Sequence, residues 1–133
     1  MYPSGVKDYL LELYRRRSEA RVTLLAKIEG GNWQPSPKAC HENVEIFCEH
    51  SVGFDIVRGW FYFDLPDTPG CAMFVAHSVV RTPQGVLSDI TPQAGTTSRR
   101  YPFLEALVSD EEFFLIESST EEGKLFYNEQ DYA

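Results

Sequence analysis

The stretch CAMFVAHSVVRTPQGVLSDIT, residues 71–91, decides the fold class of this chain. Both of its apolar runs are rich in β-branched residues, and Pro83-Gln84-Gly85 between them is typical of a turn. The stretch therefore predicts a hairpin of two antiparallel strands, residues 71–81 and 86–91. Positions whose numbers sum to about 166 to 168 would face each other across this hairpin. His77 and Asp89 are accordingly expected side by side.

Upstream of the hairpin, residues 54–65 predict another strand, because β-branched and aromatic residues dominate and a Pro- and Gly-rich turn follows at 66–70. Apolar residues at helical spacing predict a helix over residues 39–50 and an N-terminal helix over residues 6–21. Residues 22–28 fit either an extension of the first helix or a short strand.

Downstream of the hairpin, residues 92–102 are predicted as a loop and the apolar run 112–117 as a strand. From Glu105 to the end there are nine acidic residues against one lysine, which is typical of a solvated or partner-facing surface. Helices followed by a run of strands predict an α+β fold, with N-terminal helices packed on a small antiparallel β-sheet.

The composition excludes several classes of protein. A chain of 133 residues is the size of a single domain, 1–133, and 43% hydrophobic residues exclude intrinsic disorder. The formal net charge of −8 repels phosphate backbones, so nucleic acid is not an expected partner. No apolar run has the roughly 18 residues of a membrane span. The first residues lack the basic and apolar blocks of a signal peptide, so a cytoplasmic location is expected.

Three cysteines suit a reducing compartment, where a cysteine is a small core residue, a metal ligand or a nucleophile. Cys40 falls in the first turn of the predicted second helix, where free N–H groups and the helix dipole favour a thiolate. His77 as base and Asp89 as its orienting carboxylate would complete a nucleophilic triad. Gln34, six residues before Cys40, would add a side-chain amide for an oxyanion.

Other roles for these residues compete with catalysis. Cys48 falls on the buried stripe of its helix and Cys71 opens a strand, so both fit core positions. Cys40-His41 and Cys48-x-His50 offer metal ligands, yet no Cys-x2-Cys or His-x3-His spacing is present. We therefore predict no metal and no cofactor. His77 also fits a core histidine, and Asp89 also fits a turn cap.

The order of these residues resembles the papain-like superfamily of cysteine hydrolases and acyltransferases, and is most similar to its transglutaminase-like core. That core has a Cys-bearing helix, an Arg-Gly-aromatic strand, a His strand and an Asp-x-Thr strand. The matching positions are Cys40, Val57-Arg58-Gly59-Trp60, His77-Ser78-Val79-Val80 and Asp89-Ile90-Thr91-Pro92. Gln34 matches the glutamine six residues before the nucleophile of papain-type proteases. The likeness covers roughly residues 34–92.

The resemblance implies a papain-like or transglutaminase-like core in which Cys40 is the nucleophile, His77 the base and Asp89 the orienting acid. The reaction stays open between amidase or peptidase hydrolysis, deamidation and transglutaminase-like acyl transfer on a protein or peptide. Such folds also occur as bacterial effectors or toxins, which can be exported without a cleavable signal. Trp33 and Trp60 are expected to contact substrate, although Trp33 also fits a cover over the core.

The sequence departs from these families around the cysteine. Papain-type enzymes have an aromatic residue where His41 stands, and transglutaminase-type helices have small residues where Glu42 and Asn43 stand. A second hypothesis is a non-catalytic binding or adaptor domain that uses its acidic C-terminal surface. The residues that would then matter are Glu111, Glu112, Glu121, Glu122 and Asp131. The sequence makes no prediction of oligomeric state.

Overall fold

The computed structural model describes residues 4–28, 33–92 and 101–132. Its helices are α1 (Ser4–Arg15), α2 (Cys40–Glu49) and α3 (Asp110–Ser118), with short 3₁₀ turns at Arg17–Glu19 and Glu129–Tyr132. Its strands are β1 (Arg21–Val22), β2 (Leu24–Leu25), β3 (Asp55–Asp64), β4 (Cys71–Arg81), β5 (Leu87–Asp89), β6 (Pro102–Glu105) and β7 (Lys124–Asn128). The fold is α+β.

Strands β3 and β4 form the centre of the sheet. They pair antiparallel without interruption from Asp55 opposite Arg81 to Asp64 opposite Ala72. The sheet order is β1-β6-β3-β4-β5-β2, and β7 also pairs with β4. The two edge strands, β1 and β2, are separated in the chain by Thr23 alone. The seven strands are therefore nearly closed into a barrel.

The two faces of β3 and β4 have different partners, because successive side chains of a strand point to opposite faces. One face packs against the helices, and its main core joins Trp60 and Phe74 to Leu10 and Leu13 of α1 and Phe113 of α3. The adjacent part of this face packs under α2, in a cluster of Val44, Val80 and Ile90. The opposite face carries a third cluster, formed by Val57, Val79 and Phe103.

Most of the elements predicted up to residue 91 are present. Helix α2 and strands β3 and β4 lie within one residue of the predicted bounds, and β5 is a shorter form of the predicted strand 86–91. The N-terminal helix ends at Arg15, earlier than predicted. Residues 22–28 are not a continuation of that helix; they contain β2 and the end of β1.

The prediction for residues 112–117 was wrong, because this segment lies in helix α3 rather than in a strand. A four-residue apolar run does not distinguish the two periods. The Ser109 side chain accepts a hydrogen bond from the Glu112 N–H at 3.1 Å, and the acidic first turn is favoured at a helix N-terminus.

The acidic tail also contains a strand that the sequence analysis did not predict. In β7, Leu125 and Tyr127 are buried and Phe126 between them is exposed, so alternation marks this strand despite its charged surroundings. Strand β2 runs parallel to β5, so the sheet is mixed and larger than the small antiparallel sheet expected. Of the loop predicted over residues 92–102, residues 93–100 lie outside the described residues, and Pro102 begins β6.

Gly59 is required by the close approach of β6 to β3. A Cβ atom at Gly59 would lie 2.3 Å from the carbonyl oxygen of Leu104 and 2.4 Å from Cζ of Phe103. Both separations are far below van der Waals contact. The glycine of the Arg58-Gly59-Trp60 motif is therefore explained by packing between these strands.

We expect Gly59→Ala to lower the free energy of unfolding by about 2 kcal/mol, because the new methyl group must displace a strand or the Phe103 ring. Gly5→Ala is the matched control, since a Cβ at Gly5 in α1 meets no atom within 4 Å. It should raise the free energy of unfolding by about 0.5 kcal/mol. Urea unfolding followed by circular dichroism measures both, and equal stability of the two variants would contradict the packing argument.

Candidate active site

Cys40 is the first residue of α2, and a buried amide, Asn43, attaches this end of the helix to its surroundings. The Asn43 Nδ2 group donates to the Ser36 carbonyl at 2.8 Å and to the Thr91 hydroxyl at 3.0 Å. Its Oδ1 accepts from the Ser36 N–H at 3.0 Å. One side chain thus holds the start of the Cys40 helix against both the preceding loop and the residues after β5.

His77 and Asp89 form the buried pair that the hairpin predicted. Strands β4 and β5 pair Val80 with Ser88, so His77 and Asp89 are diagonal neighbours on one face rather than direct partners. His77 Nε2 lies 2.8 Å from Asp89 Oδ2. The other carboxylate oxygen of Asp89 accepts from the Thr91 N–H at 3.1 Å, which fixes the orientation of the carboxylate.

The orientation of the His77 ring leaves one nitrogen for Cys40. A carboxylate only accepts hydrogen bonds, so Nε2 carries the proton shared with Asp89. The Phe61 ring stacks on the imidazole with centroids 4.1 Å apart and an interplanar angle of 26°. Cys40 lines the same cleft and raises the pKa of His77, and Nδ1 is the ring nitrogen that Asp89 leaves available to the thiol.

Cys40 and His77 meet at the edge of β4 that does not pair with β3, where the neighbouring strand changes from β7 to β5. Strand β7 pairs with β4 up to Val75, and β5 pairs with it from Val80 onward. His77 lies between these two ladders. An open cleft of about 690 Å³ is lined here by Cys40 and His77, with Asp89 on the β5 side and Lys124 on the β7 side.

The electrostatics of the pair favour a thiolate and an imidazolium. Burial raises the pKa of the Cys40 thiol, but hydrogen bonds and positive charge from His41 and His77 outweigh it and lower that pKa to about 6. Burial lowers the pKa of His77, but the hydrogen bonds and charges of Asp89 and Cys40 raise it to about 9. Between these values the sulfur is a nucleophile and His77 is an acid.

A second histidine, His41, also lowers the pKa of the Cys40 thiol, although its place in the sequence suggested a metal ligand or a departure from the papain-type aromatic residue. His41 Nε2 lies 2.9 Å from Glu117 Oε2, and Nδ1 lies 2.5 Å from the Ser78 hydroxyl. Its adjacency to Cys40 was visible in the sequence. The sequence did not indicate that Glu117 binds His41, because the pattern of residues 112–117 predicts a strand and not the helix that brings Glu117 to α2.

The Arg58-Gly59-Trp60 motif supports the fold around the site. Arg58 is buried and donates to the Ser78 hydroxyl at 2.9 Å. It also forms ion pairs with Glu45 of α2 and Asp110 of α3, at 3.3 and 3.4 Å. The guanidinium therefore connects the central sheet to both helices.

The prediction that Trp60 contacts substrate is corrected by its position. Trp60 is 0% exposed and lies in the main core on the helix face of the sheet, whereas the cleft opens on the other face. Its indole N–H donates to the Tyr9 hydroxyl at 3.1 Å, and that hydroxyl donates to the Ala106 carbonyl at 2.8 Å. The tryptophan is a core residue with a satisfied polar group.

The two predicted residues before the helix lie beside the cleft rather than in it. Gln34 is exposed and lines a neighbouring cavity of about 390 Å³, which shares Asp89 and Thr91 with the main cleft. Trp33 is half-buried and lines neither cavity.

The remaining candidates occupy the positions that their sequence context indicated. Cys48 packs against the cluster of Val44, and burial raises the pKa of its thiol. Cys71 is half-buried at the start of β4. The acidic residues singled out in the C-terminal part are exposed, namely Glu111, Glu112, Glu121, Glu122 and Asp131.

Within the described residues, no three His, Cys, Asp or Glu side chains are grouped so that they could hold a metal ion. Over the same parts of the chain, no helix combines the length and the apolar character needed to cross a membrane. Comparison of the chain with protein-family models, curated proteins and solved structures finds no match.

We expect Asp89→Asn to lower the pKa of His77 from about 9 toward its ordinary value of about 6.5, because the variant loses the negative charge beside Nε2. The Cys40 thiolate then loses its imidazolium partner at neutral pH. The rate of Cys40 alkylation by iodoacetamide, measured against pH in a Cys48→Ala/Cys71→Ala background, should show a midpoint above about 6.

Asp67→Asn is the control for this experiment, because Asp67 is exposed in the turn between β3 and β4. It should leave the alkylation midpoint where it is. A midpoint that also stays in place in Asp89→Asn would contradict the assigned role of the Asp89 carboxylate.

Proposed function

We propose that this protein is a cysteine-dependent acyl-transfer enzyme of the papain-like kind, with Cys40 as nucleophile, His77 as acid and base, and Asp89 as the group that orients His77. One observation carries the proposal. A thiol with a lowered pKa at a helix N-terminus, a histidine and a histidine-bound carboxylate meet in a single open cleft. A core histidine without catalytic function would not need a cysteine beside its second nitrogen.

In the first step the Cys40 thiolate attacks the carbonyl carbon of the substrate. The new S–C bond pushes the carbonyl electron pair onto oxygen, giving a tetrahedral oxyanion. When this collapses, the bond to the leaving group breaks and His77 donates its Nδ1 proton to the departing amine or thiol. The product is a thioester on Cys40 and a neutral His77 imidazole.

In the second step His77 removes a proton from water or from an acceptor amine. The activated oxygen or nitrogen attacks the thioester carbonyl, and the C–S bond breaks as its electron pair returns to the Cys40 sulfur. Water gives amidase, peptidase or deamidase chemistry, and an amine gives transglutaminase-like transfer. Asp89 keeps His77 in the tautomer that both steps need.

The oxyanion would be stabilised at the N-terminus of α2. The first N–H groups of a helix have no partner within the helix, and its dipole favours negative charge there. The backbone N–H of Cys40 is the nearest such group to the reacting carbon. Gln34, in the adjoining cavity, is the candidate for a second donor if substrate binding brings its amide to the cleft.

The walls of the cleft favour an apolar side chain next to the reacting carbonyl. Phe61, Phe63 and Tyr101 line one wall, and Val22 and Leu25 contribute from the edge strands. Aromatic side chains bury large apolar groups well, and the open cleft admits an extended chain. A protein or peptide is the substrate class that fits these features.

The alternative of a non-catalytic binding domain depends on the exposed acidic residues. Exposure is what such a surface needs, but it is equally typical of solvated helix and loop positions. The acidic surface does not account for the lowered pKa of the Cys40 thiol, or for the buried His77–Asp89 pair. The enzyme hypothesis accounts for both.

We expect the protein to hydrolyse p-nitrophenyl acetate through an acetyl-enzyme on Cys40 that intact-mass measurement detects. Release of p-nitrophenolate should rise with pH as Cys40 loses its proton around pH 6 and then level off, because this leaving group needs no proton from His77. Cys40→Ala should abolish both turnover and the acetyl adduct, and His77→Gln should slow turnover by about 100-fold or more.

Cys48→Ala is the matched control, because Cys48 lies on the same helix and its thiol pKa is raised rather than lowered. It should react like the unmodified protein. Adducts distributed equally over Cys40, Cys48 and Cys71, with no rise of the rate around pH 6, would overturn the proposed function.

A further inference from the structure

The main cleft contains a lysine that the triad does not use. Lys38 is exposed, lies two residues before Cys40 and lines the same cleft of about 690 Å³. Two residues span at most about 7 Å of backbone, and the lysine side chain is a flexible stem with a point charge at its end. The ammonium group of Lys38 is therefore within reach of a substrate that is held against the Cys40 sulfur.

The backbone of Lys38 has a conformation that lysine rarely adopts. Its φ is 66°, in the left-handed region. Residues 36–39 form a β-turn in which the Ala39 N–H donates to the Ser36 carbonyl at 3.3 Å and Pro37 occupies the second position. With proline second and a positive φ third, the turn is of type II, and glycine or asparagine is the usual third residue. Turn chemistry therefore does not explain the lysine.

The turn that carries Lys38 is fixed to the first turn of α2. The Asn43 side chain accepts from the Ser36 N–H at 3.0 Å and donates to the Ser36 carbonyl at 2.8 Å. The Asn43 backbone N–H donates to the Ala39 carbonyl at 2.8 Å. One residue of the helix that begins with Cys40 thus holds both ends of the turn. The backbone of Lys38 is ordered before any ligand binds, which lowers the entropy lost on binding.

The charges that line the cleft leave Lys38 without a partner. His77 is paired with Asp89 at 2.8 Å, and Lys124 is paired with Glu122 at 3.5 Å. In the described part of the chain, no carboxylate forms an ion pair with Lys38. Formation of an acyl group on Cys40 also removes the negative charge of the thiolate. Lys38 is then the unbalanced charge of the cleft, and an anionic group on the substrate would balance it.

We propose that Lys38 binds a carboxylate of the substrate and so makes the cleft selective for carboxylate-bearing acyl compounds, such as acidic peptides. This inference rests on the proposed acyl-transfer function and adds a specificity-determining residue to it. The whole chain carries a net charge of −8, which repels such substrates at long range. A local cation beside the nucleophile offsets this repulsion where the reaction occurs, while the aromatic wall contacts the apolar part of the same substrate.

Two alkylating reagents of nearly equal size test the charge without any substrate. Iodoacetate carries a carboxylate on its reacting carbon, and iodoacetamide carries a neutral amide there. The rate of each reagent with Cys40 is measured at neutral pH in the full chain, in the Cys48→Ala/Cys71→Ala background. The ratio of the two rates cancels any change in the fraction of thiolate, because both reagents attack the same sulfur.

We expect Lys38→Met to lower the ratio of the iodoacetate rate to the iodoacetamide rate by about threefold, which is typical of an exposed ion pair. Lys38→Glu should lower it by about tenfold, because repulsion replaces attraction. Lys7→Met is the matched control, since Lys7 lies in α1, away from the residues that line the cleft. It should leave the ratio unchanged.

Lys38→Gly separates the charge from the backbone conformation. Glycine suits the third position of a type II turn, so thermal melting followed by circular dichroism should show an equal or higher Tm. The ratio of alkylation rates should nevertheless fall as it does in Lys38→Met. A lysine that only completes the turn would give the opposite pair of results.

Two pairs of esters identify which part of the substrate carries the carboxylate. Mono-p-nitrophenyl adipate and its methyl ester test the acyl part, and 3-acetoxy-4-nitrobenzoate and its methyl ester test the leaving group. Rates measured with Cys40→Ala are subtracted. Lys38→Met should lower kcat/KM by about threefold for the acidic member of one pair and leave both neutral esters unchanged.

The inference is overturned if the alkylation ratio is the same in the unmodified protein, Lys38→Met and Lys38→Glu. It is equally overturned if esters of both pairs are hydrolysed and neither acidic member depends on Lys38. Absence of all ester turnover, with an alkylation ratio that still depends on Lys38, contradicts the proposed function and supports the carboxylate site. Turnover with a ratio independent of Lys38 does the reverse.

Discussion

The uninterrupted antiparallel ladder between β3 and β4 is the constraint on which the rest of the molecule depends. It sets which side chains of both strands point to the helices and which point to the cleft. Trp60 and Phe74 are directed into the core by this alternation, and Phe61 and His77 are directed to the other face. A shift of one residue would exchange these sets and place His77 under the helices.

The position of the site depends on the edge of β4 that faces away from β3, along which both β7 and β5 pair. Because β7 and β5 each pair with a different end of that edge, the backbone between them is accessible to the start of α2. Asn43 then ties this start to the residues after β5, the strand that carries Asp89. Cys40 and His77 therefore come to the same cleft through the sheet topology, and the buried Asn43 amide helps to hold the start of α2 there.

The sequence predicted the local part of this arrangement well. Alternation and turn residues located β3 and β4 and placed His77 near Asp89, because these signals act over a few neighbouring residues. The same reasoning failed where tertiary contacts decide. The apolar run 112–117 suits either period, and its packing against α1 and the sheet, together with the Ser109 cap, makes it a helix. Trp60 follows Arg58 and Gly59 of the motif, but its side chain points to the helix face and is fully buried. The hydrogen bond between His41 and Glu117 joins residues 76 positions apart, which no local pattern can indicate.

The single residue between β1 and β2 has a consequence for what the cleft can admit. Thr23 joins two strands held by opposite ends of the sheet, one on β6 and the other on β5. One residue bridges at most about 7 Å between its neighbours, so these strands cannot move apart without losing their pairing. Val22, Thr23 and Leu25 line the cleft along this join. That wall therefore has a fixed length, which limits how far this side of the cleft can widen.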